Sequence, residues 1–387
     1  MTTPLLPEPV TESVPPPPEP GTDATAAIRC PSCGSEVTPA AAFCEVCGTR
    51  LDPVSEAPEP DAEVLEAPIE LTRPVHAPEP AAATAVPARP CTSCGGVVGP
   101  DGYCETCGTK ALSERDHYTE QPASWVAACC DKGVRHHRNE DAAAVAADPQ
   151  PGSRAVLVVC DGVSTSADSD VASLAAVRAA RSVLLAAQPV GMGTLVSRTA
   201  ALAAAIQRAV ESANEAVVAH TAPQSENPAS CTFSAAVAIG DLIVFGNVGD
   251  SRTYWLPDPG GVERAAQLSV DDSLAQARMD MGVSRQEAET GPQSHAITNW
   301  LGKDSPDVKA QTGSITVADP GWLLVCSDGL WNYASEAEAL QQLIHHLGGG
   351  GTDPLPICEA LVAWANEQGG KDNITAALAR LDRAPEA

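Results

Sequence analysis

Six acidic positions carry the chemistry that this chain could perform. Ala155-Val-Leu-Val-Val-Cys160 runs into Asp161-Gly162, and Trp322-Leu-Leu-Val-Cys326 leads to Asp328-Gly329. Lys371-Asp372-Asn373 precedes a third apolar segment, Ile374 to Leu381. Asp250 lies in a turn between two strands, and Asn139-Glu140-Asp141 ends a polar turn before Ala142-Ala-Ala-Val145. Carboxylates that converge at strand ends in a water-poor pocket need cations to offset their repulsion and lost hydration. Ligation by oxygen alone selects hard ions, Mg²⁺ or Mn²⁺, over zinc. Gly162 and Gly329 let the backbone approach an ion or its water closely. Taken singly, each Asp-Gly is also an ordinary turn. The ordered set is the specific signal.

A second chemistry sits at the front of the chain. Eight of the 14 cysteines form two matching sets, Cys30, Cys33, Cys44 and Cys47, then Cys91, Cys94, Cys104 and Cys107. Each set is two Cys-x-x-Cys knuckles about ten residues apart, close to zinc-binding spacing. A tight turn with glycine after the second cysteine brings two thiolates together, and two such turns complete a tetrahedral site. So short a segment has no core of its own, so the metal supplies its folding energy. The modules resemble zinc ribbons over residues 28–51 and 89–111, each holding one structural Zn²⁺. A redox pair or disulfide staple is the competing reading, disfavoured where thiols stay reduced. Cys129, Cys130, Cys160, Cys231, Cys326 and Cys358 read as buried thiols that fill space.

The elements that must position the acids follow from pattern. The short, continuously apolar runs read as buried strands. Residues near 170–187 and 194–219 carry Ala, Leu, Val and Arg at helical spacing without internal Gly or Pro, and predict two helices on one side of a sheet. Thr232 to Ile239, Gly240-Asp241 and Leu242 to Phe245 predict a hairpin. Residues 1–27 and 52–88 are dominated by Pro, Ala and Glu and read as disordered or extended linkers. The formal charge of -27, from 50 acidic against 23 basic residues, argues against nucleic acid and anionic membrane as partners. No apolar run approaches the roughly 20 residues that span a bilayer. The start, Met1-Thr2-Thr3-Pro4-Leu5-Leu6-Pro7, lacks a signal-peptide pattern, so a cytoplasmic location is expected.

In order, Asp131-Lys-Gly133 through Asn139-Glu140-Asp141, Asp161-Gly162, Ser230-Cys-Thr232, Gly249-Asp-Ser-Arg252, Ser327-Asp-Gly329 and Asp372-Asn373 resemble the 2C-type metal-dependent protein phosphatases, the PPM family. The resemblance covers about 124–383, within a domain assigned to 122–383. It implies an α+β fold, an α-β-β-α sandwich of two mostly antiparallel sheets flanked by helices. It also implies Mn²⁺- or Mg²⁺-dependent hydrolysis of phosphoserine and phosphothreonine by a metal-bridged hydroxide, with phosphoproteins, a Ser/Thr kinase or its substrates, as partners. By resemblance Asp161 bridges two ions with the Gly162 carbonyl on one, Asp328 and Asp372 hold the other, and Glu140 and Asp141 act mainly through waters. Asp250 matches a third, weaker metal position.

Two positions depart from the family pattern. The arginine that grips substrate phosphate is replaced by His136, flanked by Arg135, His137 and Arg138. One of the arginines, or protonated His136, is left to take that role. Val163-Ser164 follows Asp161-Gly162 in place of Met/His-Gly-Gly, which leaves the leaving-group acid to a metal-bound water or to His136 or His137. Ser269 to Leu301 resembles the family's variable flap, with Ser284 and Glu287 in a capping-box pattern. A catalytically weak scaffold and a zinc-ribbon adaptor are the competing readings of function.

Overall fold

The computed structural model describes residues 28–29, 36–37, 91, 94–111, 113–187, 193–222 and 224–382. The chain divides into two units, Met1–Thr84 and Ala85–Ala387. In the first, Ile28–Arg29 (β1) and Glu36–Val37 (β2) pair antiparallel. The cysteines Cys30, Cys33, Cys44 and Cys47 and the Pro-rich stretches lie outside the described residues.

The second unit begins with the strands His117–Ala123 (β3), Val126–Asp131 (β4), Ala142–Ala147 (β5) and Ala155–Cys160 (β6). Helices Ser169–Ala186 (α1) and Leu195–Ala219 (α2) follow, then strands Ser230–Cys231 (β7), Phe233–Ile239 (β8), Leu242–Val248 (β9), Arg252–Pro257 (β10) and Ala266–Gln267 (β11). A flap carries helices Leu274–Asp280 (α3) and Arg285–Thr290 (α4). Leu301–Gly302 (β12), Gln311–Thr316 (β13) and Gly321–Cys326 (β14) return to the sheets. Asp328–Trp331 (α5), Ala337–Gly348 (α6), Pro354–Glu367 (α7) and Ile374–Leu381 (β15) complete the fold.

Two antiparallel sheets form the centre, in the orders β11-β10-β14-β15-β4-β3 and β13-β9-β8-β6-β5. Strand periodicity explains the continuous apolar runs. Along β6, Ala155, Leu157 and Val159 face the space between the sheets, whereas Val156, Val158 and Cys160 pack with α1 and α2. Along β14, Leu323 and Val325 face inward, and Trp322, Leu324 and Cys326 pack with α6 and α7. Both faces of each strand are covered, so alternation of polar residues is absent. This is the expected α-β-β-α sandwich.

On α2, Leu202, Ala205, Ile206, Ala209, Val210, Ala213 and Val217 form one buried stripe, and the Thr194 side chain caps the N-terminus. Two boundaries differ from expectation. The sheet begins at His117, upstream of residue 122, because β3 is a largely exposed edge strand without an apolar run. Asp328 is the first residue of a helical turn, two residues beyond the end of β14.

Candidate metal centre

The acids meet at one end of the sandwich, held by backbone pairing at Asp161 and by side-chain hydrogen bonds around the others. Asp161 follows β6, and its N–H donates to Thr232 Oγ1 at 3.0 Å while its carbonyl accepts from Thr232 N at 2.8 Å. Gly162 is clamped next: a Cβ there would meet Glu140 O at 2.7 Å and Ser169 O at 3.0 Å. Asn373 stitches the last motif to the first, since its Oδ1 accepts from Glu140 N at 2.7 Å and its Nδ2 donates to Lys132 O and Arg138 O. Asp141 is fully buried, and its Oδ2 accepts from Ser327 Oγ at 2.6 Å and Thr375 Oγ1 at 2.7 Å. Asp328 accepts from Asn332 Nδ2 at 3.0 Å. Asp250 is buried, and its carbonyl accepts from Trp331 Nε1 at 2.9 Å.

The electrostatics of this cluster are unfavourable without a cation. Burial, then the charges of Asp141, Asp328, Asp372 and Asp250, push Asp161 well above the carboxylate range. Burial, then Asp372, Asp250 and Asp141, do the same to Asp328. Burial and Asp271 push Asp250 up to about 7. Burial also lifts Asp141 to about 6, despite its two hydroxyl donors. Asp141 Oδ1 and Asp328 Oδ1 are buried with no hydrogen-bond partner. Such orphaned carboxylate oxygens are what a hard cation satisfies, so the residues present fit divalent ions bound through oxygen. Among the described residues no three carboxylates bring ligand oxygens within 4.8 Å of one another.

The polar turn between β4 and β5 is heavily committed. His136 lies between Asp372 Oδ1, 3.2 Å from Nε2, and Glu140 Oε2, 3.5 Å from Nδ1. The hydrogen bond to Glu140 raises the His136 pKa against the effect of burial. Burial would raise Glu140, but His136, Arg138 and two serine hydroxyls outweigh it and hold it down to about 2. Arg138 donates to Glu140 Oε1 from Nε and Nη2, at 3.0 and 2.7 Å, and its Nη2 reaches the Ser166 carbonyl. Arg135 and His137 are exposed. A cavity of about 910 Å³ opens beside Asp328 and Asp372, walled by the flap residues Arg285, Glu289 and His295.

The second cysteine set forms a compact site. The Sγ atoms of Cys91, Cys94, Cys104 and Cys107 all lie within 4.8 Å of one another. Gly95 and Gly108, after the second cysteine of each knuckle, take φ of 72° and 69°, the left-handed conformation such turns require. Thr109 and neighbouring thiols lower Cys107 to about 6, so one thiolate is already favoured.

Residues 133–378, more than half of the chain, match the protein phosphatase 2C family. The chain belongs to that family. Residues 30–108 match the double zinc ribbon family, which spans both cysteine sets. The serine/threonine phosphatase stp of Listeria innocua is 28% identical over 252 residues, covering 64% of this chain and 92% of that protein. The protein phosphatase PhpP of Streptococcus pneumoniae is 30% identical over 155 residues, 39% of this chain and 58% of that protein. Among solved structures, the PPM Ser-Thr phosphatase MsPP of Mycobacterium smegmatis, in complex with cacodylate, is similar with a TM-score of 0.51 and 27% identity, covering 66% of this chain and 97% of that one.

The 2C-type phosphatase is therefore an enzyme on phosphoproteins, from a metal-dependent family, preceded by a zinc-ribbon region. None of its described helices is long and apolar enough to cross a membrane. The contacts of several residues around the phosphatase centre were not legible from their motifs. Ser327 and Thr375 were legible only as part of a motif and a strand, yet both donate to Asp141. Arg252 is fully buried: it stacks 3.5 Å from the Trp331 ring centroid and donates to Asp271 and to Glu289 of the flap. The capping of α4 by Ser284, which accepts from Glu287 N, was visible as a sequence pattern.

Proposed function

We propose that this phosphatase uses Mn²⁺ or Mg²⁺ to hydrolyse phosphoserine and phosphothreonine, opposing Ser/Thr kinases. The observation that carries the reading is the gathering of buried, mutually repelling carboxylates with unsatisfied oxygens at one end of the sandwich. Bound divalent ions would supply a hydroxide near neutral pH and offset charge on the phosphoryl oxygens. Asp161 would hold both ions, with the Gly162 carbonyl beside it. Asp328 and Asp372 would hold the second ion and Asp250 a weaker third. Glu140 and Asp141 would orient water, and the hydrogen bonds from Ser327 and Thr375 keep Asp141 in one rotamer. Arg135, His136 and Arg138 are assigned to the phosphate side of the site. Within that group His136 is placed to hold a proton between Glu140 and Asp372, and Arg138 acts through Glu140. The cacodylate complex of the Mycobacterium smegmatis relative, a tetrahedral oxyanion on a similar fold, supports a phosphoryl substrate.

The four clustered cysteines are assigned one structural Zn²⁺, and Cys30, Cys33, Cys44 and Cys47 a second. A cytoplasmic setting is proposed with it, where thiols such as the six buried cysteines of the phosphatase domain stay reduced. The test is hydrolysis of an aryl phosphate and a phosphothreonine peptide with Mn²⁺, with EDTA and with Asp161→Asn. EDTA and the substitution should each remove at least 99% of kcat/KM, on the order of 3 kcal/mol or more of transition-state stabilisation. Activity that survives both would sink the reading.

A further inference from the structure

We infer that the ammonium group of Lys371 grips the phosphoryl oxygens of the substrate from the wall of the cavity beside the acidic cluster. The inference rests on the phosphatase reading given above and adds a residue that none of the motifs assigns.

The cavity needs a free cation, and the described residues offer few. A phosphoryl dianion entering beside Asp328 and Asp372 meets an acidic surface on a chain of net charge -27. Arg285, on the flap wall, is held by Glu289 at 3.0 Å and Glu336 at 3.6 Å. His295 lies 3.8 Å from Asp328 Oδ2. Arg138 is spent on Glu140 and Ser169, and Lys132 Nζ donates to the His136 carbonyl at 2.7 Å. Neither Arg138 nor Arg135 lines the cavity. Lys371 does line it, and is bonded through its backbone N–H alone, to Tyr333 Oη at 3.1 Å. Among the described residues no carboxylate or carbonyl pairs its ammonium group.

The backbone that carries Lys371 is fixed, so a grip there orders the side chain alone. Gly370 O accepts from Val134 N at 2.9 Å and Arg135 N at 3.1 Å, which zips the last motif to the first. Gly370 takes φ of +48°, and a Cβ there would meet Asn366 Oδ1 at 2.6 Å and Val134 N at 2.8 Å. Asn373 fixes the other side of Asp372. Lys371 is adjacent in sequence to Asp372, so its backbone stays one residue from a carboxylate that faces the same cavity. Lysine suits the task, as a compact charge on a flexible stem that can follow a phosphoryl group entering or leaving.

The test uses the full chain loaded with Mn²⁺ and inorganic phosphate as the probe, measured by calorimetry, together with KM for a phosphothreonine peptide. Lys371→Met should weaken phosphate binding about tenfold and raise KM by a similar factor, with a smaller change in kcat and unchanged Mn²⁺ affinity. Lys371→Arg should recover most of the loss. A phosphate Kd within twofold of wild type in Lys371→Met would overturn the inference. So would a rise in peptide KM with unchanged phosphate binding, which would assign Lys371 to the peptide instead. Phosphate binding that depends on Lys371 in a wild-type protein without hydrolysis would support the grip and refute the phosphatase reading.

Discussion

Replacing Arg252 by methionine tests how the flap is fastened above the acidic cluster. The side chains of Arg252 and Asp271 are 0% and 1% exposed, and the guanidinium donates to both Asp271 oxygens, to Glu289 Oε1 and to Tyr254 Oη. Removal of the cation leaves the buried Asp271 without its ion pair, whereas Glu289 keeps Arg285 at 3.0 Å. Breaking a buried pair in this way costs about 3–5 kcal/mol. For a domain of this size each kcal/mol lowers Tm by about 2–4 °C, so a drop of roughly 6–20 °C is expected. The penalty should depend on pH. Burial already raises the Asp271 pKa, and Arg252 opposes that rise. Without Arg252 the folded-state pKa climbs further above the unfolded value. The folded variant then holds a proton that the unfolded chain releases, so its penalty shrinks as pH falls and grows as pH rises through the folded pKa. Urea unfolding followed by circular dichroism at pH 5 and pH 8 measures this. Adding Asp271→Asn to the variant should restore part of the stability, as a coupled pair must. A loss under about 1 kcal/mol that is insensitive to both pH and Asp271→Asn would refute the reasoning.

Further outcomes follow from the ribbon and the edge strand. Purified protein should carry about two zinc ions that Mn²⁺ does not displace, and Cys104→Ser should lower that count by one while leaving the phosphatase domain folded; unchanged zinc content in Cys104→Ser would exclude the described cysteine site. His117 pairs with Asp131 at 2.7 Å, and that hydrogen bond raises its pKa above 6.5. Its stabilising effect is complete below pH 6.5 and lost as pH rises through the raised folded pKa. His117→Gln should therefore flatten the stability profile above pH 6.5 and change it least at pH 9, as read by thermal unfolding across that range.

Much of the scaffold was legible because its physics is local. Strands β6 and β14 are covered on both faces and so appear as unbroken apolar runs leading to acids, and β15 as a largely apolar run that follows one. Helices α1 and α2 carry a buried stripe at helical spacing, and the cysteine knuckles announce themselves by glycine and spacing. Strand β3 was missed because an exposed edge needs no apolar pattern. The division of labour among the cations was hidden for a different reason. Arg135, Arg138 and Lys371 are equivalent charges in the sequence, and only the packing of α1 against the first motif ties Arg138 to Glu140 and Ser169.

By itself the sequence determined which residues could bind metal, in what order, and on what kind of strand, because burial and turn chemistry leave periodic traces. Tertiary structure decided what surrounds those residues. It brought Asp141 under Ser327 and Thr375, placed Asp161 among four other carboxylates, and set Arg252 between the flap and Trp331. These pairings join segments far apart in the chain. Their energies depend on burial and distance, which no single segment encodes.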